Sequence, residues 1–134
     1  MGATLIACET CRPADRDLHG RTAGERLVAE LRTAHEAGLA AEVRLSSVRC
    51  LWACQRSCAL HLRAPGRPGY VLVDFDPTPE AARALLEYAA LYAQSEAGAV
   101  PYKSWPSGVR GHFLCRLPPV PDAVADISQS EEHS

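Results

Sequence analysis

The chain has no long apolar run. Its longest nearly apolar stretch, around Ala81 to Ala93, is broken by Arg83 and Glu87 and is shorter than the ~20 residues a bilayer-spanning helix needs, so no membrane contact through a spanning helix is expected. A surplus of one charge is also missing: 14 Lys and Arg stand against 16 Asp and Glu, a net charge of −2. That balance removes the global electrostatic case for nucleic acid or an anionic membrane as a partner. The opening Met1 to Ala7 has neither the basic segment nor the apolar core of a secretory signal, which predicts a cytoplasmic protein in a reducing compartment. Paired carboxylates, a Gly-rich phosphate loop and a Ser, His, Asp order are all unrecognisable, as is any internal repeat. The chain therefore shows no catalytic constellation and reads as a protein that is not an enzyme.

What is present fits one small globular unit. At 134 residues the chain has the length of a single domain, and 47% hydrophobic against 22% charged residues excludes disorder of the whole. Thr4 to Ala7 reads as a buried strand ending at Cys8. Thr22-Ala23-Gly24-Glu25 fits a capping box, in which hydroxyl and carboxylate satisfy free N–H groups at a helix start, and predicts a helix from Ala23 to Ala37. Its Leu27, Val28, Leu31 and Ala34 form an apolar face, and Gly38 supplies a left-handed stop. Val43 and Leu45 alternate with Glu42 and Arg44, the pattern of a half-buried strand leading towards Cys50. Cys58 to Leu62 and Tyr70 to Phe75 read as a hairpin turning through the Gly and Pro residues of Ala64 to Gly69. Thr78-Pro79-Glu80 opens a second helix running to Gln94, with Leu85, Tyr88, Ala89 and Tyr92 as a core stripe. A short strand is expected at His112 to Arg116. From Pro121 to Ser134 the chain has four acidic residues and no Lys or Arg, the composition of a disordered tail. The fold class is therefore α/β: a mixed sheet of four to five strands with a βαβ start, a β-hairpin and a second helix.

Six cysteines carry the chemistry: Cys8, Cys11, Cys50, Cys54, Cys58 and Cys115. In a reducing compartment clustered thiols hold zinc or an iron–sulfur centre more readily than they form disulfides. A βαβ unit makes its two strands parallel, so their carboxyl ends lie at one edge of the sheet. Cys8 follows the first strand and Cys50 follows the second, which brings Cys8 and Cys11 towards Cys50 and Cys54 at the edge where open α/β sheets commonly bind ligands. Four thiolates at one edge make a metal site.

Two other uses of these thiols stand beside each other. Zinc ribbons carry ~15–20 residues between their cysteine pairs, whereas here a whole βαβ unit intervenes. A dithiol at Cys8-Glu9-Thr10-Cys11 would need a helix N-terminus to activate it, and about ten loop residues with Pro13 separate Cys11 from the capping box. Neither a Cys-x-His pair nor a Cys-x-x-Cys-His string is present, so Rieske and haem centres are not expected.

The string Cys50-Leu51-Trp52-Ala53-Cys54, followed by Ala59 to Arg63, Gly66, Gly69, Tyr70 to Asp74 and Pro79, resembles the thioredoxin-like [2Fe-2S] ferredoxin family. That family includes small bacterial ferredoxins and a subunit of respiratory complex I. The resemblance runs from Leu5 to Phe113. The chain is also similar to a bacterial family of predicted metal-binding proteins often encoded near cobalamin-biosynthesis genes. The resemblance implies a thioredoxin-like [2Fe-2S] domain over residues 1–120, with the acidic tail at 121–134, and a one-electron carrier. It implies Cys8, Cys50 and Cys54 as cluster ligands, with Cys11 as the fourth. Relatives place their second ligand further along, near His19 or Gly20, where this chain has no Cys. Cys58 is then either a fifth thiol replacing Cys11 or a small packing residue. Zinc held without catalysis, or passed to a client, is the alternative cofactor reading.

Between Val43 and Val73 stand Arg44, Arg49, Arg56, Arg63 and Arg67, with no Asp or Glu. Placed around the cluster they would offset its charge and steer an acidic redox partner. Trp52 would shield the cluster from water. The resemblance also implies a homodimer. His19, His35, His61 and His112 have no ligand spacing and are expected in surface or hydrogen-bonding roles, and Cys115 is expected to be structural.

Overall fold

Local signals in the sequence account for both helices. In the computed structural model, which describes residues 2–12, 16–50, 56 and 58–119, helix α1 spans Ala23–Glu36. Thr22 Oγ1 accepts from the Glu25 N–H at 3.0 Å and the Glu25 carboxylate accepts from the Thr22 N–H at 2.8 Å, so the capping box forms in full. Leu27 and Leu31 are buried along its inner face, and Gly38, at φ +108°, ends it in the left-handed region that only glycine enters cheaply. Helix α2 spans Pro79–Gln94, capped by the Thr78 side chain, which accepts from the Ala81 N–H at 3.1 Å. Its expected stripe of Leu85, Tyr88, Ala89 and Tyr92 is buried.

Five strands form one mixed sheet: β1 (Thr4–Cys8), β2 (Arg44–Val48), β3 (Leu60–Ala64), β4 (Arg67–Leu72) and β5 (Phe113–Leu117), in spatial order β2-β1-β3-β4-β5. β1 and β2 are parallel, joined by α1, and every other pair is antiparallel. This is the thioredoxin-like α/β arrangement expected from the βαβ start, the hairpin and the second helix. Two single-turn helices, Tyr102–Ser104 and Ser107–Val109, lead from α2 into β5. No helix among the described residues is long and apolar enough to cross a membrane.

The hairpin differs in its boundaries. β4 begins at Arg67, so the turn is only Pro65-Gly66, with Gly66 at φ +72°. Pro68 is tolerated inside β4 because the β3–β4 register shifts between Leu62 and Ala64 there, where its missing N–H costs no regular ladder bond. β3 starts at Leu60 rather than Cys58, and β4 stops at Leu72 rather than Phe75. Pairing nonetheless continues irregularly: the Cys58 N–H donates to Phe75 O at 3.0 Å, and the Asp74 N–H to Arg56 O at 2.9 Å. Asp74 sits at φ +69°, which breaks the extended run.

The core lies between sheet and helices. Leu5, Leu60, Leu62 and Leu72 from the strands meet Leu27, Leu31, Leu85 and Leu86 from the helices. At the β4–β5 side Tyr70, Tyr88, Trp105 and Phe113 pack mainly edge to face, with Tyr88 and Phe113 centroids 5.1 Å apart. Alternation along β3 sends Leu60, Leu62 and Ala64 to this core, and His61 and Arg63 to the opposite face. The expected acidic tail, with Trp52 and Cys54, lies outside the described residues.

Candidate metal centre

The parallel register delivers Cys8 and Cys50 to one edge. Cys8 stands opposite Val48, and the ladder runs on: the Glu9 N–H donates to Val48 O at 2.8 Å and the Thr10 N–H to Arg49 O at 3.1 Å. Cys50 is therefore the next residue past the last paired position, and it is exposed. The Cys8 thiol donates to Arg49 O at 3.7 Å and lies 3.9 Å from Thr10 Oγ1. The Thr10 hydroxyl donates to the same Arg49 carbonyl, and Ser47 Oγ donates to the Glu9 carboxylate.

Ala59 ties the second half of the site to the first. Its carbonyl accepts from the Cys8 N–H at 3.2 Å, and its own N–H donates to Cys11 Sγ at 3.3 Å. Cys58, directly before it, hydrogen-bonds through its thiol with Cys11. Cys8, Cys11 and Cys58 are thus buried together, each at most 3% exposed. The hydrogen bond with Cys11 is the main reason the Cys58 thiol is held below its ordinary pKa; burial opposes the shift and the Arg12 guanidinium assists it.

Arg12 is the cation sequence reasoning missed. At φ +52° it turns its chain sharply after Cys11, and its guanidinium donates to Phe75 O at 3.1 Å and pairs with Asp76 at 3.2 Å. The link clamps the Cys11 turn to the segment that pairs with Cys58. A non-glycine residue in the left-handed region costs roughly 1–3 kcal/mol and tends to cluster at functional sites.

Helix α1 also reaches the site, which corrects the inference from its separation in sequence. The Gly24 N–H donates to Cys11 O at 3.1 Å and the Thr22 hydroxyl donates to Glu9 O. The helix start therefore grips the main chain of the Cys8–Cys11 turn, although its bonds go to carbonyls rather than sulfur. The available sequence signal was a glycine in the first helical turn, where it is unfavourable unless another backbone comes close.

Only some of the five arginines stand near the thiols. Arg49 lies at the site, and Arg56 pairs with Asp74 at 2.6 Å beside the Cys58 segment. Arg67 instead donates to Tyr92 O, Ala93 O and Ser95 O at the end of α2. Arg44 and Arg63 stand at the far end of the sheet, beside Thr4. A run of like charge on adjacent strands is distributed along the strands and to both faces, so nearness in sequence does not collect it at one point.

The histidines hold hydrogen-bonding and surface positions: His35 Nε2 meets Val43 O at 2.7 Å, and His112 Nδ1 meets Val73 O at 2.8 Å. Cys115 is exposed on β5 opposite Val71, away from the other thiols. Among the described residues no three His, Cys, Asp or Glu side chains are arranged to hold a metal ion as they stand. The donor set still fits a thiolate-bound centre. Three buried sulfurs, an N–H aimed at one of them and a neighbouring guanidinium gather where Cys50 emerges. The expected ligand Cys54 lies outside the described residues.

No curated protein matches the chain. A family model described as a protein of unknown function, DUF1636, matches residues 5–119, which is most of the chain, and the chain therefore belongs to that family.

Proposed function

We propose that this chain is a one-electron carrier that holds a [2Fe-2S] cluster through cysteines at the carboxyl edge of β1 and β2. The observation that carries the reading is the meeting of Cys8, Cys11 and Cys58 with the β2 edge from which Cys50 emerges, across a separation longer than zinc-ribbon spacing. Cys8, Cys11, Cys50 and Cys54 are the proposed ligands, with Cys58 as the alternative to Cys11. A [2Fe-2S] centre ligated by four thiolates has no open position and exchanges single electrons at a potential tuned by hydrogen bonds, charge and exposure. The residues of this chain supply that tuning. The Ala59 N–H donates to the Cys11 sulfur, the Arg12 charge acts on the Cys58 thiol, and burial of the three thiols keeps water away. An exposed Cys50 leaves one side of the site at the surface, where an acidic partner protein would dock against Arg49.

That same exposure favours a second reading, a zinc-handling protein that passes its ion to a client through Cys50. Absorption and reduced-state EPR spectra of anaerobically purified protein, with iron, sulfide and zinc analysis, separate the two. The expected result is two irons and two sulfides per chain with visible bands. Cys11→Ser and Cys58→Ser variants then identify the fourth ligand by which of them loses the cluster. Colourless protein containing one zinc, and no cluster after anaerobic reconstitution, overturns the electron-transfer reading.

A further inference from the structure

The opposite end of the sheet carries a cleft of about 620 Å³, bordered by the start of β1, the middle of β3 and the end of β5. It is remote from the thiols: Thr4 opens β1 and Cys8 closes it, about 13 Å away at strand rise. Thr4 is the register partner of both Arg44 on β2 and Arg63 on β3. Register partners project to one face, so the two guanidiniums flank Thr4 on strands about 10 Å apart. Both line the cleft, and neither makes a hydrogen bond or ion pair with a described residue.

Their situation contrasts with that of Arg67, which also borders the cleft but is engaged by three carbonyls of α2 and its C-cap. Glu42 is the one carboxylate among the lining residues, leaving positive charge in excess. The floor is kept open. A Cβ on Gly69 would stand 3.0 Å from Leu62 O and 3.3 Å from His61 Nε2, so glycine is the residue that leaves this space clear beside the imidazole. Burial, with help from Arg63, lowers the His61 pKa, which keeps the ring neutral and able to exchange a hydrogen bond. Leu117 and Pro118 supply an apolar wall.

Clefts of ~300–1,000 Å³ that combine apolar walls with a few convergent polar groups are the usual form of small-molecule sites. Unengaged guanidiniums match carboxylate and phosphate oxygens in a two-pronged geometry. We infer that this cleft binds a small organic anion, a carboxylate or phosphate on an apolar body, between Arg44 and Arg63. The site is independent of the cluster and stands whatever metal the cysteines hold.

The test is an NMR titration of the full-length ¹⁵N-labelled chain with phenyl phosphate, isophthalate, inorganic phosphate and neutral benzyl alcohol. Phenyl phosphate or isophthalate is expected to give saturable shifts at the amides of Thr4, Arg44, His61, Arg63 and Gly69, with benzyl alcohol and inorganic phosphate binding more weakly. Arg44→Gln and Arg63→Gln, each at an exposed position, should weaken binding roughly tenfold with unchanged melting temperature, while Arg83→Gln on α2 should not. Shifts spread over unrelated arginines, Arg44→Gln and Arg63→Gln variants that bind as tightly as the parent, or benzyl alcohol binding as tightly as phenyl phosphate would each overturn the anion site. Inorganic phosphate binding as tightly as phenyl phosphate would overturn the organic body.

Discussion

Gly24 lies so close to the Cys8–Glu9 main chain that a Cβ on it would stand 2.2 Å from the Cys8 carbonyl oxygen and 2.8 Å from that of Glu9. The first turn of α1 and the thiol-bearing turn are thus packed backbone to backbone. On helix propensity alone Gly24→Ala would gain up to ~1 kcal/mol. Here the clash is with the main chain of Cys8 and Glu9, and overpacking of this kind costs ~1–3 kcal/mol. The expected outcome in urea unfolding is a lower midpoint. A variant as stable as the parent would show that the turn and helix are not held in this contact.

Arg67 links the hairpin to the end of α2. Its guanidinium donates to three carbonyls, at 3.0, 3.0 and 2.8 Å, where a cation also complements the negative end of the helix. Arg67→Met keeps most of the aliphatic stem and removes the donors, and should lower stability by ~1–3 kcal/mol. Arg63→Met, at an exposed position without such bonds, should stay within ~0.5 kcal/mol of the parent. Equal stabilities for the two variants would contradict the linkage.

Only strong acid should act on the Asp17 turn before α1. Asp17 is held at about 2, against an ordinary 3.8, chiefly by the Arg21 N–H, with the Arg21 guanidinium and the His19 N–H assisting. A carboxyl whose folded pKa is depressed adds stability that is present above its unfolded value and lost as pH falls through the folded one. The window therefore runs from about pH 4 down to about pH 2. Urea midpoints measured across that window should fall less steeply for Asp17→Asn than for the parent. Parallel pH profiles would remove Asp17 as a contributor.

Legibility in the sequence followed the range of the interaction. The Thr22–Glu25 box and the Thr78-Pro79 cap involve groups three or four residues apart, and both helices begin where those residues predict. The parallel alignment of β1 and β2 follows from the βαβ connection, and with it the approach of Cys8 to the Cys50 edge. Hairpin boundaries were less legible, because a bulge lets Pro68 enter β4 and a left-handed Asp74 ends the run before Phe75. Both depend on what the neighbouring strand offers, and no local pattern reports that.

By itself the sequence determined two capped helices, a mixed sheet with a βαβ start and a cysteine-bearing sheet edge, because capping, periodicity and crossover topology act between near neighbours or through fixed chain geometry. Only the tertiary structure decided which groups share the site. Ala59 and Cys11 are 48 residues apart, and the Arg12 guanidinium reaches Phe75 across 63. Those contacts exist because Arg56 and Cys58 pair with Asp74 and Phe75 while the Gly24 N–H at the start of α1 holds the Cys11 carbonyl. The same long-range packing sent Arg44 and Arg63 to the opposite end of the sheet and turned Arg67 onto α2. Where a side chain ends is set by strand order, register and face, and these are properties of the assembled sheet rather than of any one segment.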